Sequence, residues 1–198
     1  MYTTLKYNSK ARWLSYWYQI SETLATNPKD VLVIGKGSGI VEKTIQLFNP
    51  EVNIVSLDIN PSLKPDIIGS ALNLPFKKGS FDSILCAQVL EHIPFESFES
   101  LMRELHSVTK NNVILSVPHK RKYVKVNIKI PFLKEKTIII KFLFTKKVIS
   151  SKQHHWEIGR KVSRRQVFKS ITKFFELQKE FLNEINCYHR FFVLKKRW

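Results

Sequence analysis

"VLVIGKGSGI", Val31 to Ile40, sets four apolar residues, three of them β-branched, directly before glycines at 35, 37 and 39. Such a run reads as a buried strand, and the glycines behind it as a turn into a helix that opens near Ser38. A residue without a Cβ lets a ligand lie against the backbone of that turn. The spacing Gly-x-Gly-x-Gly departs from the dinucleotide fingerprint, whose third glycine falls one residue later. An acidic side chain about 20 residues beyond such a loop can accept hydrogen bonds from the ribose hydroxyls of an adenosine. Asp58, in "VSLDIN", stands there. Taken alone, these signals suit a dinucleotide or another nucleoside ligand.

Outward from the loop, strand-like runs at 53–57, 66–68, 81–87 and 112–117 alternate with helical stretches near Ser38 and at about 95–109. Strands separated by helices, without tight hairpin turns, predict a parallel sheet covered on both faces, with its ligand at the carboxyl edge. Upstream, residues 9–25 set Trp13, Trp17, Ile20 and Leu24 on one helical face, with Leu14 and Tyr18 beside them. Aromatic stripes at this spacing usually pack inward, so the tryptophan face is expected against the domain. Downstream, Val124, Val126, Ile128 and Ile130 alternate with Tyr123, Lys125, Asn127 and Lys129, and "TIIIKFLF" follows the turn "PFLKEK". The period of two predicts a hairpin at 123–144 within an insertion over 119–162. It is expected to form a lid on the substrate side, valines and isoleucines inward and Lys125 and Lys129 in solvent. A helix at about 163–175 and strands at 177–183 and 189–196 then close the sheet as an antiparallel pair.

A chain of 198 residues has room for one domain with a substantial core, here taken as residues 1–198. The first ten residues hold no signal-peptide core, and nothing approaches the roughly 18 apolar residues that span a bilayer. Cys86 and Cys187 stand alone, without metal-site or disulfide spacing. A cytoplasmic protein is the expectation. The net charge of +17 is one-sided: residues 1–110 carry 11 basic and 11 acidic side chains, residues 111–198 carry 22 and 5. Lysine outnumbers arginine 25 to 8, against the arginine preference of phosphate-fork and base-edge recognition. The excess reads either as a solvated face or as a surface turned to an anion.

The stretch "GSALNLPFKKGSFDSILCAQVLEHIP", residues 69–94, brings Leu-Pro-Phe, Phe-Asp and Leu-Glu-His in order, followed by "RELHSVTKNNVILSVP". From about residue 28 to 118 the chain closely resembles the class I S-adenosylmethionine-dependent methyltransferases, of the type 11 group. The resemblance implies an α/β fold, a Rossmann-like doubly wound seven-stranded sheet, mostly parallel with an antiparallel C-terminal strand, to which the hairpin is added. It implies S-adenosyl-L-methionine as cofactor. Gly35, Gly37 and Gly39 would line its methionine end, with Lys36 reaching the carboxylate or solvent. Asp58 would hold the ribose, Ile59, Ala71 and Leu72 would border the adenine, and Gln88 would sit beside the sulfonium. Many relatives carry acidic residues where this chain has Val33 and Ser70; Ser70 offers one hydrogen bond in place of a carboxylate.

Displacement at a sulfonium needs mainly an aligned nucleophile, and a histidine suits the task if a hydroxyl must lose its proton. His119, after the strand at 112–117, and His154 and His155, in "HHWEIG", are the candidate bases. His92 is expected to support the site from behind. Some quinone O-methyltransferases hold a metal with two glutamates and a histidine in the stretch that resembles "QVLEHI". Here Gln88 replaces the first glutamate and leaves Glu91 and His92, so no metal is expected. Three classes of function stand: methyl transfer to O or N of a small or lipid- or sugar-linked acceptor, RNA methylation, and a catalytically degenerate binding protein. Lysines around "IIIKFLF", from Lys120, Arg121 and Lys122 to Lys146 and Lys147, suit either a protected sheet edge or peripheral contact with an anionic membrane at its inner face.

Overall fold

In the computed structural model, which describes residues 4–5, 7–120, 122–133, 136–142, 151 and 153–198, Val31 to Ile34 are all buried. They make the central strand. The elements follow as α1 (Lys10–Leu24), β1 (Asp30–Ile34), α2 (Ile40–Phe48), β2 (Asn53–Asp58), β3 (Ile67–Ile68), β4 (Phe81–Ala87), α3 (Phe98–Val108), β5 (Thr109–Pro118), β6 (Lys122–Ile128), β7 (Lys136–Phe142), β8 (Glu157–Ile158), β9 (Lys161–Val162), α4 (Arg164–Ile171), β10 (Phe175–Leu182) and β11 (His189–Lys196). Seven strands form one sheet in the order β10-β11-β5-β4-β1-β2-β3, with β11 antiparallel to both neighbours and the other pairs parallel. This is the mostly parallel, doubly wound sheet that the sequence leads one to expect.

Alternation along β1 divides the core. Val31 and Val33 join Tyr16 and Ile20 of α1 and Val41 and Ile45 of α2. Leu32 and Ile34 join α3, α4 and Trp156 on the other face. The strand order reverses beside β1, whose neighbours β2 and β4 lead off in opposite directions. A crevice therefore opens at the carboxyl ends of β1 and β4.

Three expectations change. Trp13 and Trp17 of α1 are 49% and 54% exposed, whereas Ser15, Tyr16, Gln19, Ile20 and Thr23 are buried. The face is set by polar groups with partners: Ser15 Oγ lies 2.7 Å from His189 Nδ1 and accepts from Asn183 Nδ2 at 2.6 Å. The helix expected over 163–175 starts on a capping box of Ser163 and Gln166 but stops at Ile171, because Phe175, fully buried, enters β10 opposite Lys196.

The third change concerns the hairpin. It forms with Val124 opposite Ile140 and Val126 opposite Ile138, but these four are 45% to 50% exposed, and Ile128 is exposed as well. The other face, with Lys125, Thr137 and Ile139 half-buried, turns toward Tyr18 and Phe181, and Thr137 Oγ1 lies 3.5 Å from Glu184 Oε2. The valine and isoleucine face thus points outward, since α1 and β10 offer the hairpin a partly polar seat. Residues 143–144, Arg121, Lys134, Lys146 and Lys147 lie outside the described residues, as does the side chain of Lys122.

Candidate functional site

The crevice is a cavity of about 720 Å³. At one end the chain leaves β1 through the glycine loop. Gly35 has φ +86°, and a Cβ there would fall 2.3 Å from Val89 Cγ2, so the protein itself excludes a side chain. At Gly37, with φ +55°, a Cβ would meet no protein atom within 4 Å, which leaves the space above the turn for a ligand. Asp58 ends β2 facing this loop. Its Oδ2 accepts from the Lys36 backbone N–H at 2.9 Å and its Oδ1 from the Asn60 N–H at 2.9 Å. The carboxylate is thereby fixed in direction while each oxygen keeps a further lone pair.

Gly35, Lys36, Gly37, Asp58, Ile59, Ser70, Ala71 and Gln88 all line the cavity. Gly39 and Leu72 do not: Gly39 is the N-cap of α2, and Leu72 packs on the core. The Lys36 ammonium turns back to donate to Lys64 O at 2.6 Å and Ser56 Oγ at 3.4 Å, so it serves the β2 side of the loop. Gln88 holds φ +55°, a conformation that side chains seldom adopt, and Nε2 donates to Ser116 Oγ at 3.2 Å.

The other end brings together Glu91, His92, His154 and Tyr188. Glu91 is 1% exposed; burial, with the Glu157 carboxylate nearby, pushes its carboxyl up to about 8. Glu157 is fully buried, and its Oε1 accepts from Tyr188 Oη at 2.7 Å and faces His154 Nδ1 at 2.9 Å. Burial and that carboxylate raise the Tyr188 phenol. His92 Nδ1 lies 3.1 Å from Gln153 O, its ring meets that of His154 edge-on at 5.0 Å, and partial loss of hydration around the ring lowers its pKa. Trp156 anchors the segment: its Nε1–H donates to Ile93 O at 3.0 Å, and its ring packs on Phe95 and Phe98.

Of the three histidines expected to act as bases, the structure brings His154 alone to the cavity wall. His119 is buried at the end of β5, where its Nδ1 accepts from Arg190 Nε at 2.8 Å. His155 is exposed, and its backbone N–H donates to Glu91 O at 2.8 Å. Both lie outside the cavity lining. Sequence reasoning passed over Arg12, Ser15, Tyr16 and Gln19, which also line it. Their spacing of three and four residues marks a polar stripe on α1, a signal as regular as that of the tryptophans. Asn186, Tyr188 and His189, before and at the start of β11, left no such signal. Burial, then the charge of Arg12, pushes the His189 imidazole down to about 3.

Residues 32–117 match the family described as methyltransferase domain. A Methanocaldococcus jannaschii protein, uncharacterized protein MJ0638, is 31% identical over 111 residues, 52% of this chain and 47% of that one; the chain spans about half the length of this relative. The fold resembles that of the PH0226 protein from Pyrococcus horikoshii, with a TM-score of 0.61 and 14% identity over 98% of this chain and 97% of the other. It also resembles the N-methyltransferase NodS from Bradyrhizobium japonicum, solved with S-adenosyl-L-homocysteine: TM-score 0.66, 9% identity, 96% and 89% of the two chains. A third likeness is to the 1,6-didemethyltoxoflavin-N1-methyltransferase of Burkholderia thailandensis, with TM-score 0.60, 10% identity, 94% and 81% coverage. The segment that carries the glycine loop, Asp58 and the Glu91-His92 pair thus matches a methyltransferase-domain family, and the chain shares its fold with these methyltransferases.

Proposed function

We propose that the chain binds S-adenosyl-L-methionine at the glycine loop and transfers its methyl group, by in-line displacement, to an oxygen or nitrogen of a small or lipid- or sugar-linked acceptor. The observation that supports this most is the pairing of an open glycine turn with a carboxylate held in direction by two backbone N–H groups. The residues fit the cofactor, which carries no phosphate and needs close approach of the backbone more than an anion nest. When bound, it supplies a methyl group on a sulfonium, so that the acceptor's lone pair forms one bond to carbon while the carbon–sulfur pair leaves with sulfur. Asp58 would hold the ribose, Ala71 and Ile59 would border the base, and Gln88, which lines the same cavity, would sit beside the sulfonium. His154 faces the acceptor, its ring set by Glu157 and Tyr188.

The exposed apolar face of the hairpin, with Lys136 on it opposite Ile128 and Lys129 exposed near its end, favours an acceptor met at an anionic lipid surface. The shortage of arginine weighs against RNA. Calorimetry tests the cofactor: the chain should bind S-adenosyl-L-homocysteine, and Asp58→Ala should weaken that binding by about 1.5–3 kcal/mol, as for a charge-assisted hydrogen bond. Absence of binding, or equal binding by the variant, would overturn the reading.

A further inference from the structure

We propose that Glu91, His92 and His154 form a site for one divalent transition-metal ion at the acceptor end of the cavity, where two ligands legible in sequence gain a third from far along the chain. One ligand atom from each of the three lies within 4.8 Å of the others. Three ligands that share an ion at about 2.1 Å in tetrahedral geometry stand about 3.4 Å apart, so the side chains need to converge by up to about 1.4 Å.

Three further observations bear on the site. The Nδ1 of each ring is already engaged, His92 with a backbone carbonyl and His154 with the Glu157 carboxylate. A carbonyl oxygen only accepts, so the His92 proton sits on Nδ1 and its Nε2 lone pair is free to coordinate. Such outer contacts are how proteins orient histidine ligands toward a metal. Glu91 is 1% exposed, and its Oε2 has no hydrogen-bond partner among the described residues. Buried carboxylates are ordinarily paired or bound to metal. Among the described ion pairs, Glu91 appears in none and Glu157 only with His154.

Two imidazoles and one carboxylate select manganese, iron, cobalt or zinc over magnesium and calcium, which prefer all-oxygen shells. With three protein ligands the ion keeps open positions toward the cavity. There it would hold an acceptor oxygen in line with the methyl donor, and His154 would act by placing the ion. The role of the ion rests on the methyltransferase reading; the existence of the site does not.

The test uses the full-length chain, stripped by chelator and titrated with Mn²⁺ while free ion is followed by electron paramagnetic resonance. One Mn²⁺ per chain is expected, with affinity lowered at least about tenfold by His92→Ala and by Glu91→Gln, and S-adenosyl-L-homocysteine affinity within twofold of the parent. His92 is exposed, so its truncation leaves the core intact. Co²⁺ titration should add visible absorption that His154→Ala abolishes. No saturable binding of Mn²⁺, Co²⁺ or Zn²⁺, or binding that all three variants retain, would overturn the site. Loss of homocysteine-cofactor binding by the parent chain would instead overturn the proposed function, and calorimetry without metal separates the two failures.

Discussion

The two ends of the cavity are built differently. The end proposed for the cofactor is made by one continuous stretch, β1 to β4, in which the loop, Asp58 and Ala71 follow one another along the chain. The end proposed for the acceptor is made by α1, the turn after β4, Ser151, Gln153 and His154, and the start of β11, and it exists only when all four are folded together. Local geometry suffices for the first, whereas the second depends on long-range packing. A lesion in a distant anchor should therefore damage the acceptor end and spare the loop.

Trp156→Ala puts the largest strain on that contrast. The ring is 1% exposed, and its indole N–H holds Ile93 O. Truncation of a buried tryptophan costs about 3–5 kcal/mol, to be read as a lower urea midpoint. Where the variant remains folded, S-adenosyl-L-homocysteine should still bind within a few-fold of the parent. Equal loss of stability and of cofactor affinity would show that the two ends are one cooperative unit.

What was legible followed the same divide. The strand before the loop and Asp58 were readable because period and spacing along the chain fix them. The buried face of α1 was not. Tryptophan carries the larger apolar surface, yet the Ser15 contacts to His189 and Asn183, made across the fold, decide which side turns in. The same holds for His154: its neighbours in sequence, His155 and Trp156, point elsewhere, and only the docking of Trp156 brings its ring to His92. The hairpin was legible as a hairpin from its period of two, but not in facing, because a two-stranded sheet has two sides and the pattern alone does not say which one meets the body.

His189 gives a smaller effect with a defined sign. Its folded pKa, pushed down to about 3 against 6.5 for a free histidine, means that the unfolded chain binds its proton first as pH falls. Stability from this group is complete above pH 6.5 and is lost steadily toward pH 3, at about 1.4 kcal/mol per pH unit. Between pH 6.5 and 4 the parent should lose about 3 kcal/mol more than His189→Gln, in paired urea titrations. Parallel curves for the two proteins would mean that the imidazole is not held neutral between Ser15 and the Arg12 charge.

The smallest expected change in stability is on the hairpin. Val126 and Ile138 face each other across β6 and β7 at 45% and 46% exposure, and substitutions at such surface positions usually move stability by no more than about 0.5 kcal/mol each. The double variant Val126→Thr, Ile138→Thr keeps β-branched residues in both strands, so the hairpin itself should persist. Its urea midpoint should match that of the parent, in contrast with Trp156→Ala. Cosedimentation at near-physiological salt then separates surface from lid. If the outward apolar face rests on anionic lipid, the parent pellets with anionic vesicles more than with neutral ones, and the double variant loses several-fold of that binding. A cost of 2 kcal/mol or more would mark these side chains as buried against the body, as in a closed lid. No vesicle binding by the parent would leave the lysines as solubilising charge on an ordinary hairpin edge.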